Sequence, residues 1–120
     1  RPTLPARVER TMLGLLIRPH ERRLAEESAA LFAARPTLPA CRVMQALALW
    51  RAGQGDAAAR LLAEPGIPFD EEPRFALVRA LVLGSKASEA EREKWLDVAA
   101  SARLLPAERA LVASLRAARR

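Results

Sequence analysis

Few residues of this 120-residue chain combine in a way that would support catalysis. His20 is the only histidine, and it follows Pro19 at the start of a predicted helix, where a solvated or capping role suits it better than that of a base. No serine or cysteine has a recognisable histidine and acid partner set. Glu71–Glu72 and Glu89–Glu93 bring carboxylates close together, but both groups fall at predicted helix N-termini, where acids favour the helix dipole. Gly53-Gln54-Gly55 lacks the strand before it and the Lys-Ser/Thr after it that a phosphate loop needs. The lone cysteine, Cys41, rules out an internal disulfide and a cysteine-cluster metal site. Its apolar neighbours mark it as a small buried residue, and a single thiol suits a reducing compartment. The sequence therefore reads as a non-enzyme with no cofactor and no metal site, expected in the cytoplasm.

Charge raises a second kind of chemistry. The net charge is +6, and eighteen of the twenty basic residues are arginine, which would suit a nucleic-acid partner. The arginines are scattered, however, with acids among them at Glu26–Glu27, Asp70–Glu72 and Glu89–Glu93. The one dense basic group, Arg116, Arg119 and Arg120, lies at the end of the chain, so no nucleic-acid partner is expected. The longest apolar runs fall far short of the roughly 20 residues that span a bilayer, no secretory leader is visible, and no membrane partner is expected.

The composition is that of helices. Half the residues are apolar, Ala, Leu and Arg dominate, and only Trp50, Trp95, Phe32, Phe69 and Phe75 are aromatic. No window alternates with period two, so no strand is expected. Helices are predicted from about Pro5 to Arg18, Glu21 to Ala34, Pro39 to Ala52, Gly55 to Ala63, Glu72 to Leu83, Ser88 to Ala102 and Pro106 to residue 118. Pro19 stops the first, and Gly53 supplies a left-handed cap to the third. Ser88-Glu89-Ala90-Glu91 is a capping box. Arg22–Glu26 and Arg23–Glu27 are (i, i+4) pairs on a solvated face.

A fixed spacing organises these elements. Pro5, Pro39 and Pro73 lie 34 residues apart, and Arg-Pro-Thr-Leu-Pro-Ala occurs at Arg1–Ala6 and again at Arg35–Ala40. Ala46-Leu47-Ala48-Leu49 returns 34 residues later as Ala80-Leu81-Val82-Leu83. That is the tetratricopeptide (TPR) period, whose unit is a helix–turn–helix that cannot bury its apolar face alone. Ala46, Leu49, Gly53, Ala58 and Leu62 resemble the small and large positions of one such unit. The expected fold is all-α: a single domain forming a TPR-like right-handed array of antiparallel helix hairpins, with units near 5–34, 39–64 and 73–102 and a capping helix near 106–118. The leading helices of TPR units line the concave side. By that register Leu13, Leu16 and Ile17, then Val43, Leu47 and Trp50, then Leu77 and Leu81 form an apolar groove for an amphipathic helix. Left empty, it would be an apolar patch that favours self-association.

Two stretches resemble the small TPR-type chaperones of bacterial type III secretion needle subunits. Glu72-Pro73-Arg74-Phe75-Ala76-Leu77, followed by Leu83-Gly84, is similar to that family's Glu-Pro-Trp-(aliphatic or Phe)-Ala-Leu segment and its Leu-Gly sequel, with Arg74 in place of the aromatic residue and the Leu-Gly spacing off by one. His20-Glu21 followed by Glu26–Phe32 is similar to its His-x-Glu-Glu-Ala stretch. The resemblance implies a cytosolic chaperone that holds the needle subunit as a monomer by its C-terminal amphipathic helix, with a second small helical protein packed near the N-terminal helices. Two other readings stay open: a general TPR adaptor or regulator, and a chaperone of another secretion substrate such as a translocator.

Overall fold

The computed structural model describes residues 3–101 and 104–117. Arg1 and Pro2 of the first hexapeptide, Ala102 at the expected end of the sixth helix, residue 118, and Arg119 and Arg120 of the basic terminus lie outside the described residues. The described residues form seven helices and no strand: α1 (Leu4–Ile17), α2 (Arg22–Ala34), α3 (Pro39–Arg51), α4 (Gly55–Ala63), α5 (Pro73–Leu83), α6 (Glu89–Ala100) and α7 (Pro106–Ala117). The protein is an all-α helical array. Its chain divides into two compact units, Arg1–Ile67 and Pro68–Arg120.

The spaced prolines do what their chemistry allows. Pro5, Pro39 and Pro73 each stand in the first turn of a helix, where a missing N–H leaves no hydrogen bond unmade. The repeated hexapeptide does not start its two helices identically. Thr3 caps α1, its hydroxyl accepting the Ala6 N–H at 3.3 Å, whereas Leu38 precedes α3 with no side-chain cap. Gly53 closes α3 with φ 82°. The N–H of Gly53 donates to the Trp50 carbonyl at 3.0 Å and that of Gln54 to the Leu49 carbonyl at 2.8 Å, the crossed pair of a Schellman turn. In the second unit Ser88 and Glu91 make both halves of the expected capping box.

In the first unit α3 is the central helix, packed against α1, α2 and α4. Its buried residues, Cys41, Arg42, Val43, Met44, Ala46, Leu47 and Ala48, therefore go round the helix instead of forming one stripe. Ala46, Ala58 and Leu62 are buried in the α3–α4 hairpin, where the small side chains permit close approach. Gly14 serves α1 and α2 in the same way, since a Cβ there would sit 2.9 Å from the Leu24 methyls. Ser28, fully buried on α2, donates to Gln45 Oε1 on α3 at 2.7 Å, so its hydroxyl is not left unpaired. In the second unit α5 packs on α6 and α7, around Leu77, Val78, Trp95, Leu96, Ala99 and Val112.

Arginines tie the helices together. Arg42 on α3 donates to the carbonyls of Leu61, Glu64 and Pro65 at 3.4, 2.6 and 3.0 Å, closing the C-terminal end of α4. Arg74 on α5 meets Glu108 on α7 with Nε at 2.8 Å and Nη2 at 3.2 Å, and Arg116 on α7 reaches Asp97 on α6 at 2.6 Å. The (i, i+4) pair expected between Arg23 and Glu27 is replaced: Glu27 accepts from Arg7 of α1 at 2.8 Å, and Arg23 turns toward Glu21. A contact across two helices outcompetes one along a single helix because α1 brings a second guanidinium to the same carboxylate.

Candidate functional site

The eight residues expected to line a groove occupy three kinds of place. Val43 and Leu47, in the middle of the central helix of the first unit, are fully buried, and Leu16 nearly so. Leu77 and Leu81 are buried in the second unit. Leu13 and Trp50 are half-buried, and Ile17 is 42% exposed. The side chains open to a partner are thus Leu13 and Ile17, one turn apart on α1, with Trp50 from α3. The physical reason lies in α3. A helix apolar on every side is covered from several directions, and its residues pack on neighbours before they face a ligand.

Arg51 brings Trp50 to α1. Its Nε donates to the Leu15 carbonyl and its Nη2 to the Leu16 carbonyl, both at 3.1 Å. These are among the last carbonyls of α1, which have no partner within the helix, and a cation there also complements the helix dipole. Burial pulls the Arg51 pKa down from its ordinary value. The same guanidinium lies 4.8 Å from the centre of the Trp50 ring, a cation–π contact. Because Arg51 is at the C-terminal end of α3 and its acceptors are at the C-terminal end of α1, these two ends lie against each other. The shared end carries Ile17, Trp50 and Arg51.

The residues weighed for catalysis are dispersed. His20 is exposed in the turn between α1 and α2, and Cys41 is fully buried within the first unit. Burial raises the Cys41 thiol pKa, with Arg35 opposing it more weakly, so the sulfur is held as an unreactive thiol. Glu72 precedes α5, and Glu89 and Glu91 occupy the first turn of α6. Among the described residues no three His, Cys, Asp or Glu side chains gather as a metal site, and no helix is long and apolar enough to cross a membrane.

Sequence reasoning missed the polar residues that set this geometry. Arg51, Arg42 and the Arg74–Glu108 pair look in the sequence like solvated charges. The only signal available was indirect: each arginine on α3 and α5 stands in a helix with few other polar residues. No family model matches the chain, and neither curated proteins nor solved structures give a match.

Proposed function

We propose that this chain is a helical-hairpin binding module whose ligand is an amphipathic helix of another protein, and that it serves as a cytoplasmic chaperone of the type III needle-subunit class. One observation carries the reading. The helices α1, α3 and α5 start at Leu4, Pro39 and Pro73, 35 and 34 residues apart, and Arg51 ties the C-terminal end of α3 to that of α1, as neighbouring leading helices of hairpin repeats would lie. Leu13 and Ile17, four residues apart on α1, and Trp50, next to Arg51 on α3, would supply the apolar anchors. The chaperone assignment rests on the likeness of Glu72–Leu77 and His20–Phe32 to that family. Burial of Val43, Leu47, Leu77 and Leu81 confines the contact to the Ile17 end of α1 and gives weight to a broader second reading, a general protein-binding adaptor using the same anchors.

The test is titration of the chain with a labelled peptide of a needle subunit's C-terminal helix, followed by anisotropy. The Ile17→Gln variant, with its helical circular dichroism unchanged, is expected to bind about fivefold more weakly, as covering the exposed part of one isoleucine contributes about 1 kcal/mol. Equal affinity of the variant and the parent chain removes the proposed surface. A parent chain that ignores this peptide but captures another protein's amphipathic helix through Ile17 favours the adaptor.

A further inference from the structure

The N-terminal half of α1 and the facing part of α2 hold a different feature. A cleft of about 280 Å³ lies between them, lined by Arg7, Arg10, Thr11, Arg23, Leu24 and Glu27. The lining holds three arginines and a single carboxylate, which is already engaged, with Glu27 Oε1 2.8 Å from Arg7 Nη2. Among the described residues no carboxylate pairs with Arg10. Arg23 has only Glu21, at 3.8 Å, beyond hydrogen-bonding distance. Arg10 thus stands at the cleft without a paired acid and Arg23 with only a long ion pair, while Thr11 and Leu24 of the lining are buried.

We propose that this cleft binds an acidic side chain of a partner polypeptide, with Arg10 and Arg23 meeting its carboxylate and Leu24 and Thr11 its methylene groups. Three arguments favour that ligand. The charge imbalance selects an anion, and guanidinium groups match the planar carboxylate with paired hydrogen bonds. The apolar part of the lining has no use for a bare inorganic ion. The volume falls just below the roughly 300–1,000 Å³ of small-molecule pockets, which suits one or two side chains better than a cofactor. The site uses none of Leu13, Ile17 or Trp50, so it does not depend on the helix-binding surface.

Fluorescein-labelled tetraglutamate is titrated into the full chain at low ionic strength and followed by anisotropy, beside tetraglutamine and competing inorganic phosphate. Arg10→Gln/Arg23→Gln is expected to weaken tetraglutamate binding about tenfold through loss of two ion pairs. Arg60→Gln/Arg109→Gln removes the same charge at exposed positions elsewhere and is expected to change binding less than twofold. Equal losses in the two variants overturn the proposal in favour of net charge alone. Phosphate displacing the peptide at matched concentration, or tetraglutamine binding as tightly, overturns the choice of ligand. Arg7 is left in place in these variants because it holds Glu27.

Discussion

Glu108 offers the sharpest test of how the second unit is held together. Its side chain has no exposed surface, and it takes three hydrogen bonds: Arg74 Nε at 2.8 Å, Arg74 Nη2 at 3.2 Å and the Leu105 N–H at 2.9 Å. Arg74 is more accessible, with its side chain 28% exposed. The two ends of the pair are therefore unequal. Arg74→Met strands a buried carboxylate with one backbone donor, a situation that costs about 3–5 kcal/mol. Glu108→Gln keeps the shape and the Leu105 contact and leaves a guanidinium that water can reach, so its loss is expected near 1–2 kcal/mol. Replacing both partners by methionine removes the stranded charge and recovers most of the loss. Urea unfolding followed by circular dichroism measures each difference, and in a thermal scan Arg74→Met is expected to lower Tm by on the order of 10–20 °C. The reasoning is refuted if Glu108→Gln costs as much as Arg74→Met, or if the double variant is no better than Arg74→Met alone.

Further outcomes follow from local geometry. Gly53→Ala is expected to cost about 1 kcal/mol in urea unfolding, although nothing lies within 4 Å of the added methyl, because φ 82° alone disfavours a side chain. Gly84→Ala is expected to cost more than about 1 kcal/mol for the opposite reason: its φ of −59° suits alanine, but the new Cβ would collide with the Ala80 carbonyl oxygen, which is backbone and cannot turn aside. Ser88→Ala removes the capping box of α6 and is expected to cost about 1 kcal/mol in the same assay. Cys41 is expected to resist a thiol reagent at pH 8 until urea is added. Because burial raises its pKa in the folded chain, its contribution to stability is full below the unfolded value of 9.0 and is lost as pH rises through the folded value, which unfolding at stepped alkaline pH measures.

Helix starts and stops were readable because they depend on single residues with local effects. Pro39 and Pro73 begin helices, Gly53 ends one, and Ser88 with Glu91 caps another, whatever the rest of the chain does. The groove was harder to read because it depends on which helix is surrounded. Val43 and Leu47 share a face in the α3 register, and so do Met44 and Ala48 on other sides. The absence of a polar face on α3 was already a sign of burial from several directions, and it points away from a groove position for its middle residues. Ile17 stayed accessible, and Trp50 partly so, at the C-terminal ends of their helices. Partners such as Arg74 and Glu108 were illegible for another reason: 34 residues separate them, and no local pattern joins an α5 cation to an α7 acid.

The basic composition also takes on a different meaning once the ties are traced. Arg42 and Arg51 project from the two ends of α3 and close the C-termini of α4 and α1, so one helix fixes the ends of two neighbours. Arg79 lies between two rings, 4.4 Å from the centre of Phe69 and 4.5 Å from that of Trp95, joining the segment before α5 to α6. Each task uses a property that lysine lacks: several donors in a fixed plane to reach separate carbonyls, or a flat cation that stacks on an aromatic face. The excess of arginine over lysine thus has a structural cause in these positions. Arg10 in the α1–α2 cleft has no such task, and Arg23 beside it has only the long contact to Glu21, so their charge can act on another molecule.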